Sequence, residues 1–258
     1  MRFASLGSGS RGNALVIEHA GTRLLIDCGF SLKETRARLA RLGLDGEQLD
    51  GIVLTHEHGD HCGGVWTAAR AWTLPVWLTP GTYQQCRNGS GEVSGVQLIN
   101  SHEPFAVGDL QITPYPVPHD AREPCQFVFS DGDVRVGLLT DAGSVTAHIR
   151  AVLSGCDALM LECNYDRDML RNGPYSAALK SRVGGPYGHL DNADAAALLS
   201  ELDTSRLQHI LAMHLSETNN TPEAVRGVLR EALGGHGPIG VAGQESGSDW
   251  HEVRRWSG

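Results

Sequence analysis

The chain is patterned as short apolar runs that stop abruptly on polar residues. Phe3–Ile17 reads as two strands around a glycine- and serine-rich turn, SLGSGSRGN. Arg23–Asp27 (RLLID), Ile52–Leu54, Pro75–Leu78, Val96–Ile99, Leu110–Val117, Gln126–Phe129, Val134–Leu139, Ala158–Leu161, His209–Met213 and Ile239–Ala242 have the length and apolar content of buried strands. Asp131-Gly132 predicts a hairpin between two of them. Pro114 and Pro116 place the Leu110–Val117 strand at an edge or strand end. Between these runs the spacing predicts helices. One runs from a Ser31 cap to Leu42 and stops at Gly43, one from an Asp60 cap through His61–Trp72, and one over Asp191–Leu202. The last covers Pro222–Leu233, entered through Thr221 with proline at its first position. Pro80–Gly95 and Asp166–Gly188 read as helix and loop. Strands interleaved with helices make a layered α/β protein, and with no linker, repeat or low-complexity tract the chain reads as one domain, 1–258.

Six of the apolar runs end on a metal-competent or acid–base residue: Asp27, His56, His119, Asp141, Glu162 and His214. In layered α/β proteins, sites form outside strand ends, because buried strands are rigid and the loops leaving them converge. Six such endings together point to one centre.

The richest lies in Gly51–Gly64, GIVLTHEHGDHCGG, which places His56, His58, Asp60 and His61 within a few positions. Imidazole and carboxylate suit borderline metals. Gly59, Gly63 and Gly64 are expected to turn the backbone tightly, so that neighbouring side chains face one point. Two metals need about four ligands each, with positions open for water and substrate. His56, His58 and His119 serve the first metal, and Asp60, His61 and His214 the second. Asp141 bridges, while Asp27 orients a liganding imidazole from behind. Cys62, beside His61, is not needed as a ligand. Ligands drawn only from His and Asp favour two divalent ions, Zn²⁺ or Mn²⁺, and structural zinc sites are usually closed and cysteine-rich.

At 258 residues the chain can bury a core without disulfides. Its six cysteines are scattered and form no CxxC pair, so free thiols are expected. No apolar run approaches the roughly 20 residues of a membrane span, and Arg2 and Arg11 interrupt the place of a signal peptide. The expectation is a cytoplasmic protein with no membrane partner. The formal net charge of −9 disfavours broad non-specific attraction to nucleic acid. Arg167, Arg171, Lys180 and Arg182 either line a local phosphate-binding channel or form a solvated face, whereas Arg36, Arg38 and Arg41 on the first helix read as a solvated face.

HxHxDHxGG after an apolar strand, then a strand-end His, a strand-end Asp and a late His, resembles the metallo-β-lactamase superfamily. Here the pattern is His56, His58, Asp60, His61, Gly63, Gly64, then His119, Asp141 and His214, with Asp27 matching the family's early aspartate. The resemblance implies a four-layer αβ/βα sandwich, two mixed sheets flanked by helices, with the dinuclear site at one edge. FASLGSGSRGN, PHDA, ECNYD, GHLDN and HLSETNN are most similar to the YycJ (WalJ) group, which resembles β-CASP nucleases without their inserted domain.

That comparison implies a dinuclear-metal phosphodiesterase, a 5′-to-3′ DNA exonuclease with a metal-bridging hydroxide as nucleophile. DNA is the expected nucleic-acid partner in preference to RNA, and the oligomeric state stays open. Glu162 resembles the acidic residue that β-CASP enzymes carry after a strand. His189 resembles their phosphate-contacting histidine, and joins Asp60 and Glu162 as a catalytic candidate. Cys163 and Asp191 stand where relatives commonly have serine. Other hydrolases on the same metals remain alternatives: a cyclic phosphodiesterase, a lactone or thioester hydrolase, or a promiscuous β-lactamase. Diiron reductases of the fold commonly carry Glu where His58 stands.

Overall fold

A computed structural model describes residues 1–87, 95–235 and 237–255. Two seven-stranded sheets dominate the described residues. The first runs β14 (His251–Glu252), β1 (Arg2–Gly7), β2 (Ala14–His19), β3 (Thr22–Ile26), β4 (Gly51–Val53), β5 (Val76–Leu78), β6 (Val96–Leu98). The second runs β13 (Ile239–Val241), β12 (His209–Met213), β11 (Ala158–Glu162), β10 (Arg135–Leu139), β9 (Cys125–Ser130), β8 (Leu110–Pro116), β7 (Phe105–Val107). Each sheet is mixed: β3 to β6 and β10 to β13 are parallel, and the remaining pairs antiparallel.

The apolar runs are continuous because these strands are covered on both faces. Phe3, Ile17, Leu24 and Ile26 point inward onto Phe127, Phe129, Met160 and Leu211 of the other sheet. Their alternates Leu6, Val16 and Leu25 face outward, onto α1 (Leu32–Arg41) and α3 (Val65–Trp72). In the second sheet Leu159, Leu161, Ile210 and Ala212 face α5 (Ala147–Leu153), α8 (Asn192–Glu201) and α9 (Pro222–Ala232). A period of two thus sorts each strand into two cores, giving four layers in the order helix, sheet, sheet, helix. Among the described residues, no helix is long and apolar enough to cross a membrane.

Several details depart from the sequence reading. The expected His61–Trp72 helix is two, α2 (Gly59–Cys62) and α3, with a break at Gly63-Gly64. Asp60 lies inside α2, whose cap is His58, so it does not cap a helix. Nor do the glycines turn the chain by a left-handed conformation: Gly63 and Gly64 have φ of −56° and −101°. A Cβ at Gly64 would lie 1.9 Å from the Phe30 carbonyl, and the Gly64 N–H donates to Cys28 O at 2.7 Å. Glycine is required there for close approach of the chain after β3.

Arg38 is buried, donating to the carbonyls of Leu6, Gln244 and Glu245, and Arg41 joins it on Leu6 and Glu245. Only Arg36, half exposed beside Glu47, fits a solvated face. Pro114 and Pro116 pair with β9 but lie beyond the reach of β7, where β8 is locally an edge. β7, β14 and α5 had no counterpart in the sequence reading. The expected loop after α4 (Pro80–Cys86) includes residues 88–94, which lie outside the described residues.

Candidate metal centre and active site

The strand-end residues meet at one edge of the sandwich. Asp27 follows β3, His56 follows β4, His119 follows β8, Asp141 follows β10, Glu162 closes β11 and His214 follows β12. Three of them leave their strands in the left-handed region: φ is 59° at Asp27, 46° at Asp141 and 56° at His214. Such backbone costs free energy for a side chain and clusters at functional sites. Here it ends each strand and swings the side chain into the centre.

Ring hydrogen bonds decide which imidazole nitrogens are left with lone pairs. His119 donates from Nδ1 to Gly188 O at 2.9 Å, which leaves Nε2 bare. His58 donates from Nε2 to Asp120 O at 3.2 Å, so its Nδ1 is bare. Thr55 Oγ1 donates to the Asp27 carboxylate and accepts from His56 Nδ1 at 2.9 Å, leaving His56 Nε2 buried and without any partner. Burial, helped by the charge of His61, pushes the His56 pKa well below the usual imidazole value; burial also lowers that of His119. Three bare imidazole nitrogens converge, with His58 Nδ1 only 3.2 Å from His119 Nε2. A shared cation would satisfy all three at once, and among the described residues no protein donor does.

A second donor set adjoins the first. His61 donates from Nδ1 to Asp27 Oδ2 at 2.7 Å and presents Nε2 to Asp141 Oδ2 at 2.6 Å. Asp60 Oδ2 lies 3.6 Å from His61 Nε2 and 3.3 Å from His214 Nε2. Asp141 reaches both sets, its Oδ2 also 3.9 Å from His56 Nε2. Burial works against ionisation of Asp141, but the imidazoles of His214 and His61 outweigh it and hold its pKa well below the usual range. His56/His58/His119, His56/His61/Asp141 and Asp60/His61/His214 each keep their ligand atoms within 4.8 Å of one another. So do Asp141, Glu162, His189 and His214. The residues fit a pair of divalent ions.

Residues 22–214, well over half the chain, match the β-lactamase superfamily domain. The chain belongs to the metallo-β-lactamase superfamily. Among its relatives, the exodeoxyribonuclease YycJ of Bacillus anthracis is 33% identical over 235 residues, 90% of this chain and 89% of that protein. The exodeoxyribonuclease WalJ of Streptococcus pneumoniae is 34% identical over 226 residues, 86% of this chain and 84% of the relative. In solved structures, the metallo-β-lactamase fold protein YhfI of Bacillus subtilis superposes with a TM-score of 0.75 over 97% of this chain and 98% of that one, at 18% identity. With such relatives and such a fold, this superfamily member is a metal-dependent hydrolase.

Beyond the ligand pattern of the superfamily, Glu162 and His189 are joined. Glu162 Oε2 accepts from the N–H groups of Ala142 and Leu190. Its Oε1 lies 2.7 Å from His189 Nδ1, which is also 3.0 Å from Asp141 Oδ1. Burial disfavours the charged His189, but the two carboxylates outweigh it and raise its pKa well above 6.5. His189 lines a cavity of about 380 Å³ together with His58, Asp60, Asp141 and His214. Glu162 is fully buried behind it.

Several residues escaped the sequence reading. Asn13 Nδ2 contacts Asp60 Oδ2 and His61 Nε2 at 3.3 and 3.0 Å. Ser8 Oγ accepts from the His214 N–H at 2.8 Å and bonds Asn13. The SLGSGSRGN turn is the expected hairpin, and it braces the centre as well. Asn164 Nδ2 meets His214 Nδ1 at 2.9 Å; Thr55 and Asp120 support His56 and His58 as above. Polar residues abutting the ends of apolar strands, in LTHEH and ECNYD, were the available signal. Of the four basic residues expected at a channel, Arg182 alone lines the cavity. Arg167 pairs with Asp191 and Asp194, Arg171 with Asp168, and Lys180 with the Arg171 carbonyl.

Proposed function

We propose that this chain is a dinuclear-metal phosphodiesterase that removes nucleotides from the 5′ end of DNA. The observation that carries the reading is the pair of abutting donor sets sharing Asp141, opening on a cavity that also holds His189. His56, His58 and His119 would hold one divalent ion and Asp60, His61 and His214 the other, with Asp141 between them and Asp27 orienting His61. When bound, zinc or manganese supplies Lewis acidity toward a phosphoryl oxygen and lowers the pKa of water toward neutrality.

The chain's own residues do the rest. His189 Nδ1 faces two carboxylate oxygens, so it keeps its proton, and these carboxylates favour the charged ring. From the cavity wall it donates to a non-bridging phosphoryl oxygen or protonates the departing oxygen. Glu162 touches no substrate; it fixes the ring. Asp60, a quarter exposed at the cavity, orients water for attack. The names of these two relatives support DNA over RNA and an end-directed cut.

The test is the purified protein loaded with Mn²⁺ or Zn²⁺, offered end-labelled DNA and RNA, bis-p-nitrophenyl phosphate and nitrocefin. DNA and the model diester should be cleaved, and His189→Ala should keep its metals while losing most turnover. Lactam hydrolysis with no diester cleaved under either metal defeats the reading.

A further inference from the structure

Opposite the donor sets, the cavity wall is built by a segment whose composition the reaction chemistry does not explain. α7 (Ala177–Val183) buries none of its residues, although an isolated helix this short has no stability of its own. Tyr175, Leu179, Arg182 and Val183 from this segment line the cavity. Leu179 is 37% exposed and Tyr187, at the segment's end, 61%. Only one other described residue, Leu98, is a comparably exposed large hydrophobic. Apolar surface is therefore concentrated beside a strongly polar centre.

The segment is also fixed in place. Ser176 caps α7 through the Leu179 N–H at 3.3 Å. The His189 N–H donates to Val183 O and the Asp120 N–H to Tyr187 O, both at 2.9 Å. Arg182 Nε donates to Asp120 Oδ2 at 2.7 Å, and Asp120 in turn supports His58. These bonds fix the backbone that carries Tyr175 and Leu179 and hold the Arg182 guanidinium beside the centre. Among the described residues, Arg182 is the only Lys or Arg side chain lining the cavity.

We infer that Tyr175 and Leu179 form a platform on which the base of the terminal nucleotide stacks, with Arg182 on a neighbouring phosphate. The inference rests on the nuclease reading and adds to it that the attacked end enters as a single unpaired nucleotide. Stacking on an aromatic face suits any of the bases, and a planar guanidinium suits a phosphate oxygen. The cavity, about 380 Å³, is at the small end of ligand pockets, a size that suits one unpaired nucleotide.

The experiment measures kcat and KM of the manganese-loaded protein on single-stranded oligodeoxynucleotides carrying a normal or an abasic nucleotide at the attacked end. Wild type should favour the normal end by about 5- to 150-fold in kcat/KM, through KM, the range that one stacked base gives on alanine substitution. Tyr175→Phe should keep that preference, Leu179→Ala weaken it and Tyr175→Ala abolish it, with the abasic substrate cleaved as by wild type. Equal cleavage of both ends by wild type overturns the platform and leaves the nuclease reading intact. So does a Tyr175→Ala variant that keeps the preference, or that loses turnover equally on both substrates. Failure of wild type to cut either oligonucleotide takes down both.

Discussion

Asp27 offers a sharp test of the centre, because it touches neither the cavity nor a substrate. Its carboxylate, 3% exposed, accepts from His61 Nδ1 at 2.7 Å and from the Thr55 N–H at 2.8 Å. The first bond keeps the proton on Nδ1 and the lone pair on Nε2, where the second ion would sit. In Asp27→Asn the amide oxygen can still accept from Thr55, and asparagine tolerates the left-handed backbone at φ 59°. The amide NH₂ then faces His61 Nδ1 and favours the opposite tautomer, with Nε2 protonated and unable to ligate. Loss of such an orienting partner typically weakens metal binding ~10–100-fold, or about 1.4–2.7 kcal/mol.

Asp27→Ala adds a fold cost. The Thr55 N–H is orphaned at about 1–3 kcal/mol, and alanine in the left-handed region costs about 1–2 kcal/mol more, together roughly 2–5 kcal/mol. Competition titrations against a chromophoric chelator give the affinities, and denaturant melts of the metal-free proteins give the stabilities. Asp27→Asn should lose affinity at one of two sites with little change in melting, and Asp27→Ala should lose both. An Asp27→Asn protein that binds both ions as wild type does refutes the tautomer argument.

Glu162→Gln should lower kcat ~10–100-fold by releasing His189, with metal content unchanged; loss of an ion instead would make Glu162 a ligand. Arg38→Met should lower the unfolding free energy by about 1–3 kcal/mol in denaturant melts, because the Gln244 carbonyl loses its donor. Its kcat should be intact, and a fall in kcat without destabilisation would contradict that. Removing both metals with a chelator should lower the melting temperature by ~10–20 °C when the starting free metal was about a hundredfold above each Kd. Calorimetry reads this, and equal melting temperatures would show that the donor sets do not bind.

Much of this was written in the chain. Buried parallel strands produce runs of apolar residues, and the polar residues ending them mark where loops converge, so Asp27, His56, His119, Asp141, Glu162 and His214 could be aligned before any coordinates. The capping box of Ser31 with Glu34, the Asp131-Gly132 turn and the Thr221-Pro222 helix start are local signals and survive into the structure. What escaped depends on distant partners. Asn13 is an ordinary turn residue until α2 delivers Asp60 and His61 beside it, and Arg38 is an ordinary surface arginine until the Gln244 loop closes over it. Asp60 scores as a helix cap by position and is drawn into the centre by its neighbours. The Gly63-Gly64 pair signals a turn locally, but the demand for glycine is set by the Phe30 carbonyl across the gap.

Phosphodiester hydrolysis from a 5′ end by these donor sets can be read from the order in which products appear. The most direct measurement follows products from uniformly labelled DNA whose 5′ terminus alone bears a second label, with the manganese-loaded protein. Release of the 5′ label in the first turnovers, as mononucleotide, before the body of the strand is degraded, is the expected result. Retention of the 5′ label while nucleotides leave the other end, or no release of either label, would contradict it.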